Sequence, residues 1–283
     1  MIQLTGNAFA KVNLTLDVLG KREDGYHDLC SVMQTISLHD GITLQLNTGE
    51  EWKLLCETDG VPCDSRNLAW KAARVFFDST GLEPDGVTIG IQKRIPSQAG
   101  LGGGSADAAA VLRMLNAWKG NPLSVKELCD LGAKVGSDVP FCVLGGTALA
   151  EGRGERLTKL PDAPELFFAV CKPDAAFSTP ELFRKLDAVT IARRPDTAAM
   201  QNALQKGDRP AIGNLLCNVF EQAVAENFPD LAEIKSAMLS CDALGAQMTG
   251  SGSAIFGIFE TGEAAKAACE KLSGRNVFYA KTV

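Results

Sequence analysis

Four glycines lie close together in a segment that reads PSQAGLGGGSADAAA over residues 96–110, between a predicted strand and a predicted helix. Glycine has no Cβ, so the backbone N–H groups of such a loop can approach an anion closely. The helix that follows adds unpaired N–H groups and the positive end of its dipole. The segment therefore predicts a phosphate cradle, with the Ser105 hydroxyl able to touch phosphate or a magnesium ion.

The spacing of this loop differs from the common nucleotide-binding motifs. A Walker A loop needs Gly-Lys followed by Ser or Thr, which occurs nowhere in the chain. A dinucleotide fingerprint that starts at Gly100 or Gly102 meets Ser105 or Asp107 where its last glycine belongs. The H-R-D motif of protein kinases is also absent. The alternative to a phosphate loop is a glycine-rich turn that serves tight packing.

Two other segments carry residues suited to chemistry. Asp138 lies in GSDVPFC (136–142), either as a reactive carboxylate or as the N-cap of a short helix over 139–144. The segment MTGSGSA (248–254) is a Gly-Ser loop between two predicted strands, and its alternative is a plain hairpin turn.

Residues 8–18 alternate apolar and mostly polar side chains, which predicts a strand. Lys11 and Asn13 share its polar face, about 7 Å apart. That face either meets solvent or lines a site. Lys93, near the end of a later strand, either flanks an adenine pocket or is solvated.

The elements that position these residues follow from periodicity, caps and turn residues. Strands are predicted over 8–18, 42–46 after an Asp40-Gly41 turn, 87–95, 166–171, 246–249, 254–260 and 276–282. Helices are predicted from a Ser65 cap to about 78, from the glycine loop to 118, from a Ser124 capping box to 136, from a Ser178 capping box onward, and over 197–206, 210–226, 230–240 and 262–272. A break over 152–163 separates two predicted domains, 1–155 and 156–283, in an α/β or α+β protein.

Composition limits the class of protein. The chain has 283 residues, 46% hydrophobic and 22% charged, as in a soluble globular protein. A net charge of -6 argues against a general nucleic-acid coat. Nine scattered cysteines without a C-x-x-C pair, and only two histidines, argue against a disulfide framework or a zinc site. The sequence shows no membrane-spanning apolar run and no signal-peptide pattern, so we expect a cytoplasmic protein.

Taken together, PSQAGLGGGSA, Asp138 within VGSDVPF, and MTGSGSAIF resemble the three motifs of the GHMP small-molecule kinases, which include galactose, homoserine and mevalonate kinases. Three further segments, AKVNLTLDVLGKREDGYHDL (10–29), GLGGGSADAAAVL (100–112) and STPELF (178–183), are similar to the members that act on a cytidine diphosphate-linked methylerythritol in non-mevalonate isoprenoid synthesis. The resemblance covers residues 8 to 259.

The resemblance implies a two-lobed α/β (α+β) fold, with an N-terminal lobe like domain 2 of ribosomal protein S5 and a ferredoxin-like C-terminal lobe, and a substrate site between them. It implies a kinase that uses ATP and Mg²⁺ to phosphorylate the 2-hydroxyl of its acceptor. Lys11 and Asp138 fall on the catalytic pair, and Ser105 is the candidate metal ligand. The ATP-loop positions are Pro96, Ser97, Gln98, Ala99, Gly100, Leu101, Gly102, Gly103, Gly104, Ser105 and Ala106. The substrate positions are Asn13, Tyr26, His27, Thr179 and Phe183.

From these residues a mechanism can be outlined. Asp138 accepts or orients the proton of the attacking hydroxyl, while Lys11 keeps it charged and offsets charge on the phosphoryl group. Tyr26 and Phe183 stack on a pyrimidine and His27 reads its edge; the alternatives are core packing for the two rings and a turn role for His27.

Two positions depart from the family pattern. Asp107 stands where asparagine is common, and we expect it to face away from phosphate or to act through magnesium. Met33 stands where an aromatic residue is common. The alternatives for function are another GHMP kinase, of homoserine or mevalonate type, and a non-catalytic nucleotide-binding relative. We expect a small-molecule substrate, no nucleic-acid or membrane partner, and a monomer or homodimer.

Overall fold

The chain starts with two strands of 20 residues each, β1 (Ile2–Lys21) and β2 (His27–Leu46). The computed structural model describes all residues from Met1 to Val283. The turn predicted at Asp40-Gly41 is wrong, because β2 runs straight through it. Gly41 pairs with Gln92 of a neighbouring strand, and the Asp40 carboxylate is buried, where it accepts backbone N–H groups instead of forming a turn.

Contacts divide the chain into two units that are discontinuous in sequence. The first unit consists of Met1–Ala10, His39–Ser97 and Gly102–Gly145, and the second of Lys11–Leu38, Gln98–Leu101 and Gly146–Val283. Each of the two long strands contributes one end to each unit. The division into domains 1–155 and 156–283 stays a prediction.

The first unit adds two strands and four helices to the ends of β1 and β2. They are β3 (Lys53–Leu55), α1 (Leu68–Thr80), β4 (Val87–Gln92), α2 (Gly103–Trp118), α3 (Val125–Ala133) and α4 (Val139–Leu144). β4 pairs antiparallel with β2 and parallel with β3. The alternate residues Ile42, Leu44 and Leu46 of β2 are buried, and α1 packs against α2.

Helix caps in this unit are partly as predicted. The Ser124 capping box of α3 is confirmed, with Glu127 as its partner. The Ser65 cap of α1 is wrong, since the N-cap is Asn67, two residues later, whose side chain accepts the Ala69 N–H at 2.9 Å. Asn67 also donates to the Pro62 carbonyl at 2.8 Å, which fixes the incoming chain.

The second unit holds the rest of the elements. They are β5 (Thr147–Gly152), β6 (Arg156–Lys159), β7 (Phe167–Lys172), α5 (Thr179–Asp187), α6 (Thr197–Lys206), α7 (Arg209–Asn214), β8 (Cys217–Asn218), α8 (Phe220–Val224), a 3₁₀ turn (Ala225–Asn227), α9 (Pro229–Leu239), β9 (Gly245–Met248), β10 (Ile255–Phe259), α10 (Gly262–Lys271) and β11 (Asn276–Lys281). β7, β9, β10 and β11 form an antiparallel sheet in the order β11-β7-β10-β9. This order, with α9 and α10 as the two connecting helices, is the ferredoxin-like arrangement.

Two predictions in this unit are wrong, and a third holds in part. The helix over 210–226 is interrupted, because Cys217 and Asn218 pair in parallel with Thr15 and Leu16 of β1. The break over 152–163 holds in part: residues 153–155 form a tight turn and residues 160–163 have no regular structure, but β6 lies between them. β6 pairs with β5 as a hairpin, which joins the sheet through the pairing of β5 with β2. Ser178 precedes α5 without a capping hydrogen bond, although Pro180 lies in the first turn as expected.

The two long strands belong to one hydrogen-bonded sheet of order β3-β4-β2-β1-β8, extended by β5 and β6 from β2. All nine cysteines are free thiols. None of the helices is both long enough and apolar enough to cross a membrane.

Candidate active site

The glycine loop enters α2 in the first unit with its helix end uncapped. Gly102 is the N-cap in the left-handed conformation, with φ of 71°, and no side chain caps the helix. The N–H groups of the first turn, at Gly103, Gly104 and Ser105, therefore lack the acceptor that a capping residue would supply. Such a helix start is suited to a phosphate group.

The middle of the loop, residues 98–101, belongs to the second unit and is held there by backbone contacts. The Ala99 carbonyl accepts the Ala254 N–H at 3.1 Å, and the Leu101 carbonyl accepts the Lys11 N–H at 3.0 Å. A Cβ on Gly100, whose φ is 74°, would lie 2.1 Å from the Thr249 carbonyl oxygen. Three predicted motifs, the glycine loop, the early strand and the Gly-Ser loop, thus meet within one unit.

The polar face of β1 is buried, so the expectation that it could meet solvent is wrong. Lys11 is 3% exposed and Asn13 is 4% exposed. The Lys11 ammonium donates to Asn13 Oδ1 at 2.8 Å, and the Asn13 amide donates to Ser31 Oγ at 2.8 Å. A Cβ on Gly250 would lie 3.3 Å from Lys11 Nζ, so the Gly-Ser loop passes close to the ammonium. β9 and β10 pair on either side of this loop, which makes it a hairpin loop as well.

Asp138 directly precedes α4 but makes no side-chain capping hydrogen bond to it. Helix capping therefore does not account for an aspartate at this position. Ser105 Oγ would lie 3.9 Å from a Cβ on Gly136, so the start of α2 adjoins the segment that carries Asp138. The pairing of Asp138 with Lys11 stays a prediction.

The substrate candidates near the start of β2 form an aromatic cluster in the second unit. The rings of His27 and Phe183 are stacked, with centroids 4.5 Å apart and planes 16° apart. His27 Nε2 lies 2.9 Å from Asp187 Oδ1. Tyr26 is 57% exposed, so core packing does not explain it. His27 is the first residue of β2 and is buried, so its position is not that of a turn residue.

Thr179 is placed by a different contact. Its hydroxyl lies 2.9 Å from Ser251 Oγ of the Gly-Ser loop. Phe183 also packs edge-on against Phe220, with ring centroids 5.0 Å apart, so it borders both the hydrophobic core and the aromatic cluster.

Sequence reasoning missed three residues in this part of the molecule. Asp187 lies one helical turn after Phe183 on α5, a spacing that could have revealed it. Ser251 lies in the predicted Gly-Ser loop, but nothing in the sequence indicates its contact with Thr179. Arg153, at the tip of the β5–β6 hairpin, has its guanidinium carbon 5.1 Å from the Tyr26 ring centroid, and only the register of β5 on β2 places it there.

Lys93 lies in a buried charge cluster, so the alternative that it is solvated is wrong. Its ammonium contacts the carboxylates of Asp40 and Asp107, the latter at 2.9 Å. Burial raises the pKa of Asp107 to about 7, and the charge of Asp40 adds to this while that of Lys93 opposes it. The positive charge of Lys93 is therefore largely compensated within the protein.

Met33 is buried in β2 and pairs with Ala148 of β5. It is part of the hydrophobic core.

Comparison with known proteins gives consistent results. Residues 67–146 match the family described as "GHMP kinases N terminal domain", and residues 200–277 match "GHMP kinases C terminal". A protein of Caldicellulosiruptor saccharolyticus, named 4-diphosphocytidyl-2-C-methyl-D-erythritol kinase, is 44% identical over 94% of this chain and 91% of its own length. A crystal structure of 4-(cytidine 5'-diphospho)-2C-methyl-D-erythritol kinase superposes with a TM-score of 0.83 at 33% identity, covering 98% of both chains. A homoserine kinase of Cytophaga hutchinsonii, 19% identical, shares the fold with a TM-score of 0.74 over 99% of this chain and 94% of its own.

Proposed function

Since this chain belongs to the GHMP kinase family, we propose that it transfers the γ-phosphate of ATP to the 2-hydroxyl of 4-diphosphocytidyl-2-C-methyl-D-erythritol, a step of non-mevalonate isoprenoid synthesis. The mixed α/β, two-lobed kinase fold is confirmed. The chain is an enzyme, a phosphotransferase with an alcohol group as acceptor. The observation that carries the choice of substrate is the His27–Phe183 stack beside the exposed Tyr26 ring, which suits a nucleobase.

ATP is the proposed phosphate donor, held by residues 96–106. The uncapped start of α2 fits this role, since its N–H groups need an acceptor that a phosphate supplies. A side chain at Gly100 would collide with the Thr249 carbonyl, so this glycine is required for packing of the loop and not for contact with ATP. The backbone N–H groups of the other glycines bind the phosphates of ATP.

Magnesium fits the donor set near the start of α2. Ser105 offers a hydroxyl, an oxygen ligand of the kind that Mg²⁺ prefers. The adjacency of Ser105 to the Gly136 segment brings this hydroxyl near the segment that carries Asp138. When bound, the metal neutralises charge on the phosphates.

Phosphoryl transfer needs alignment and charge stabilisation more than covalent chemistry. Asp138 orients the acceptor hydroxyl and takes up its proton as the bond to phosphorus forms. Lys11 carries its positive charge in a nearly water-free place, fixed in direction by the hydrogen bond to Asn13. A charge that is fixed in this way stabilises the transferring phosphoryl group without reorganisation.

The cytidine is the proposed occupant of the aromatic cluster. His27 Nε2 faces Asp187, which leaves Nδ1 as the ring nitrogen for the edge of the base. Tyr26 offers its exposed ring for stacking, and Phe183 offers the face that His27 does not cover. Asn13 and Thr179 hold the polyol. We propose no nucleic-acid or membrane partner, a cytoplasmic location, and a monomer or homodimer.

Coupled measurement of ADP release tests the proposal. We expect ADP only when the cytidine-linked acceptor is added, and none with homoserine or mevalonate. Turnover of homoserine or mevalonate in its place would replace the substrate assignment. ATP binding with no turnover of any acceptor would instead identify a non-catalytic relative.

A further inference from the structure

Three buried charged residues of the first unit lie on the two sides of the phosphate loop, residues 96–106. We call Asp40, Lys93 and Asp107 the charge cluster. Their side chains are between 0 and 7% exposed. Lys93 contacts both carboxylates and so links β2, the end of β4 and the start of α2. None of the three has a role in the mechanism above other than the expected contact of Lys93 with adenine.

On the strand side, Asp40 holds the chain just before the loop begins. Its Oδ1 atom accepts the backbone N–H of Arg94 at 2.5 Å and of Ile95 at 2.8 Å. These two residues immediately precede Pro96, where the loop starts. β4 ends at Gln92, two residues before the first of these contacts, so the carboxylate takes over from the sheet in directing the backbone.

On the helix side, Lys93 and Asp107 hold the chain where the loop becomes α2. A Cβ on Gly103 would lie 3.3 Å from Lys93 Nζ, so the ammonium rests against the first residue of α2. Asp107 lies four residues further, about one turn, and contacts the same ammonium at 2.9 Å. Lys93 therefore bonds to α2 through Asp107 and lies close to the backbone of its first residue.

Net stability does not explain this cluster. Replacing a buried ion pair by apolar side chains of similar volume is often neutral or stabilising. Asp107 Oδ1 is buried without a hydrogen-bond partner, which adds a further cost. Directional contacts, unlike apolar packing, fix the angle as well as the distance between a strand end and a helix start.

We infer that Asp40, Lys93 and Asp107 are positioning residues for the phosphate loop: they fix residues 94–95, just after β4, against the first turn of α2. The loop's N–H groups are thereby aimed at the phosphates of ATP. This inference rests on the proposed function in one respect, the assignment of ATP to this loop. Asp107 is the decisive residue to test, because a carboxylate does not itself attract phosphate, so its removal weakens ATP binding only through the loop.

The experiment compares the wild type with Asp107→Leu and Asp107→Asn by direct titration with ATP, using the full chain. We expect the dissociation constant for ATP to rise about tenfold or more in Asp107→Leu, which releases Lys93 from α2. It should stay within about threefold in Asp107→Asn, whose amide oxygen still accepts from Lys93. Asp130→Leu, the same change at an exposed carboxylate on α3, is the matched control and should bind ATP as the wild type does.

Two further readouts separate positioning from a general loss of stability. Hydrogen exchange should speed up at residues 97–104 in free Asp107→Leu, and KM for the acceptor should stay within about twofold while KM for ATP rises. If Asp107→Leu does not fold, Asp107→Ala, which leaves Lys93 paired with Asp40, carries the same expectations.

Wild-type ATP affinity and loop exchange in a folded Asp107→Leu, or in Asp107→Ala, would overturn the inference. So would a wild type that binds no ATP. The titration does not involve the acceptor, so a wild type that binds ATP but fails to phosphorylate the cytidine-linked substrate would refute the proposed function and still leave the inference standing on its own result.

Discussion

At the scale of single residues, the site depends on charges that are removed from water. Lys11 is nearly inaccessible, and its ammonium is oriented by Asn13, itself anchored through Ser31. A buried charge of this kind is costly to keep unless its contacts are made, and it acts strongly on a nearby phosphate because little water screens it. In the proposed mechanism, this residue and Asp138 are the two positions at which we expect catalysis to be most sensitive to substitution.

Asp138→Asn and Lys11→Met should each lower kcat by about 10²–10⁴, the range for a positioned acid–base or charge-stabilising group. The dissociation constant for ATP should change far less, since in the proposed mechanism the loop binds ATP through backbone groups. Steady-state kinetics with the cytidine-linked acceptor measures this. Asp130→Asn, at an exposed position, is the control. A wild-type kcat in Asp138→Asn would refute its role.

Arg153 gives a second prediction at this scale, for affinity rather than rate. Its guanidinium lies over the exposed Tyr26 ring, with the guanidinium carbon 5.1 Å from the ring centroid. Arg153→Met should therefore raise KM for the cytidine-linked acceptor about three- to tenfold, with kcat within about twofold. The matched control is Lys266→Met. Lys266, on α10, places a similar cation over the ring of Tyr279 on β11. Equal KM values for Arg153→Met and wild type would contradict the prediction.

At the scale of elements, the start of α2 is defined by its neighbours more than by its own sequence. No side chain caps it, and its first turn rests on the Lys93 ammonium. An alanine-rich helix of this length has good intrinsic propensity, so it does not need a cap to form. Leaving the end uncapped keeps its N–H groups available for a ligand.

The buried Asp107 makes the stability of this region depend on pH. Burial raises its pKa to about 7 from 3.8, so the folded state holds the proton more tightly than the unfolded chain. The stabilising contribution is therefore complete below about pH 4 and is lost as pH rises through about 7. Asp107→Asn, which cannot ionise, should gain stability relative to wild type between about pH 5 and pH 8.

Urea denaturation at the two pH values measures that gain. The exposed Asp130→Asn should show no such dependence on pH. A constant difference between Asp107→Asn and wild type across the range would show that Asp107 is already charged at about pH 5.

At the scale of the whole molecule, thiol reactivity reports on the packing of both units. Burial raises the pKa of Cys129 in the first unit, and of Cys171 and Cys269 in the second, to about 11. The thiolate is the reactive form, so these three should resist alkylation in the native state. Cys63 is exposed and should react first.

Mass spectrometry of iodoacetamide-treated protein measures this order. Denaturant should make all nine thiols reactive, which serves as the control. Labelling of native Cys171 as fast as Cys63 would show that the core of the second unit opens readily.

Local chemistry could be predicted from the sequence because it depends on neighbours along the chain. The glycine loop entering α2, the capping box at Ser124 and the extent of the helix over 197–206 are set by contacts within a few residues. The three motifs were likewise recognisable from residue type and spacing. Their conjunction was enough to indicate the family and its chemistry.

Only the tertiary structure determined the contacts between residues that are far apart in the sequence. The sequence predicted a turn at Asp40, yet its carboxylate accepts the backbone N–H of Arg94, more than fifty positions away. The short strand at 217–218 exists because β1 lies beside it, and Arg153 reaches Tyr26 because β5 pairs with β2. A buried polar side chain must find its partner wherever the fold supplies one, and sequence spacing carries no record of that partner.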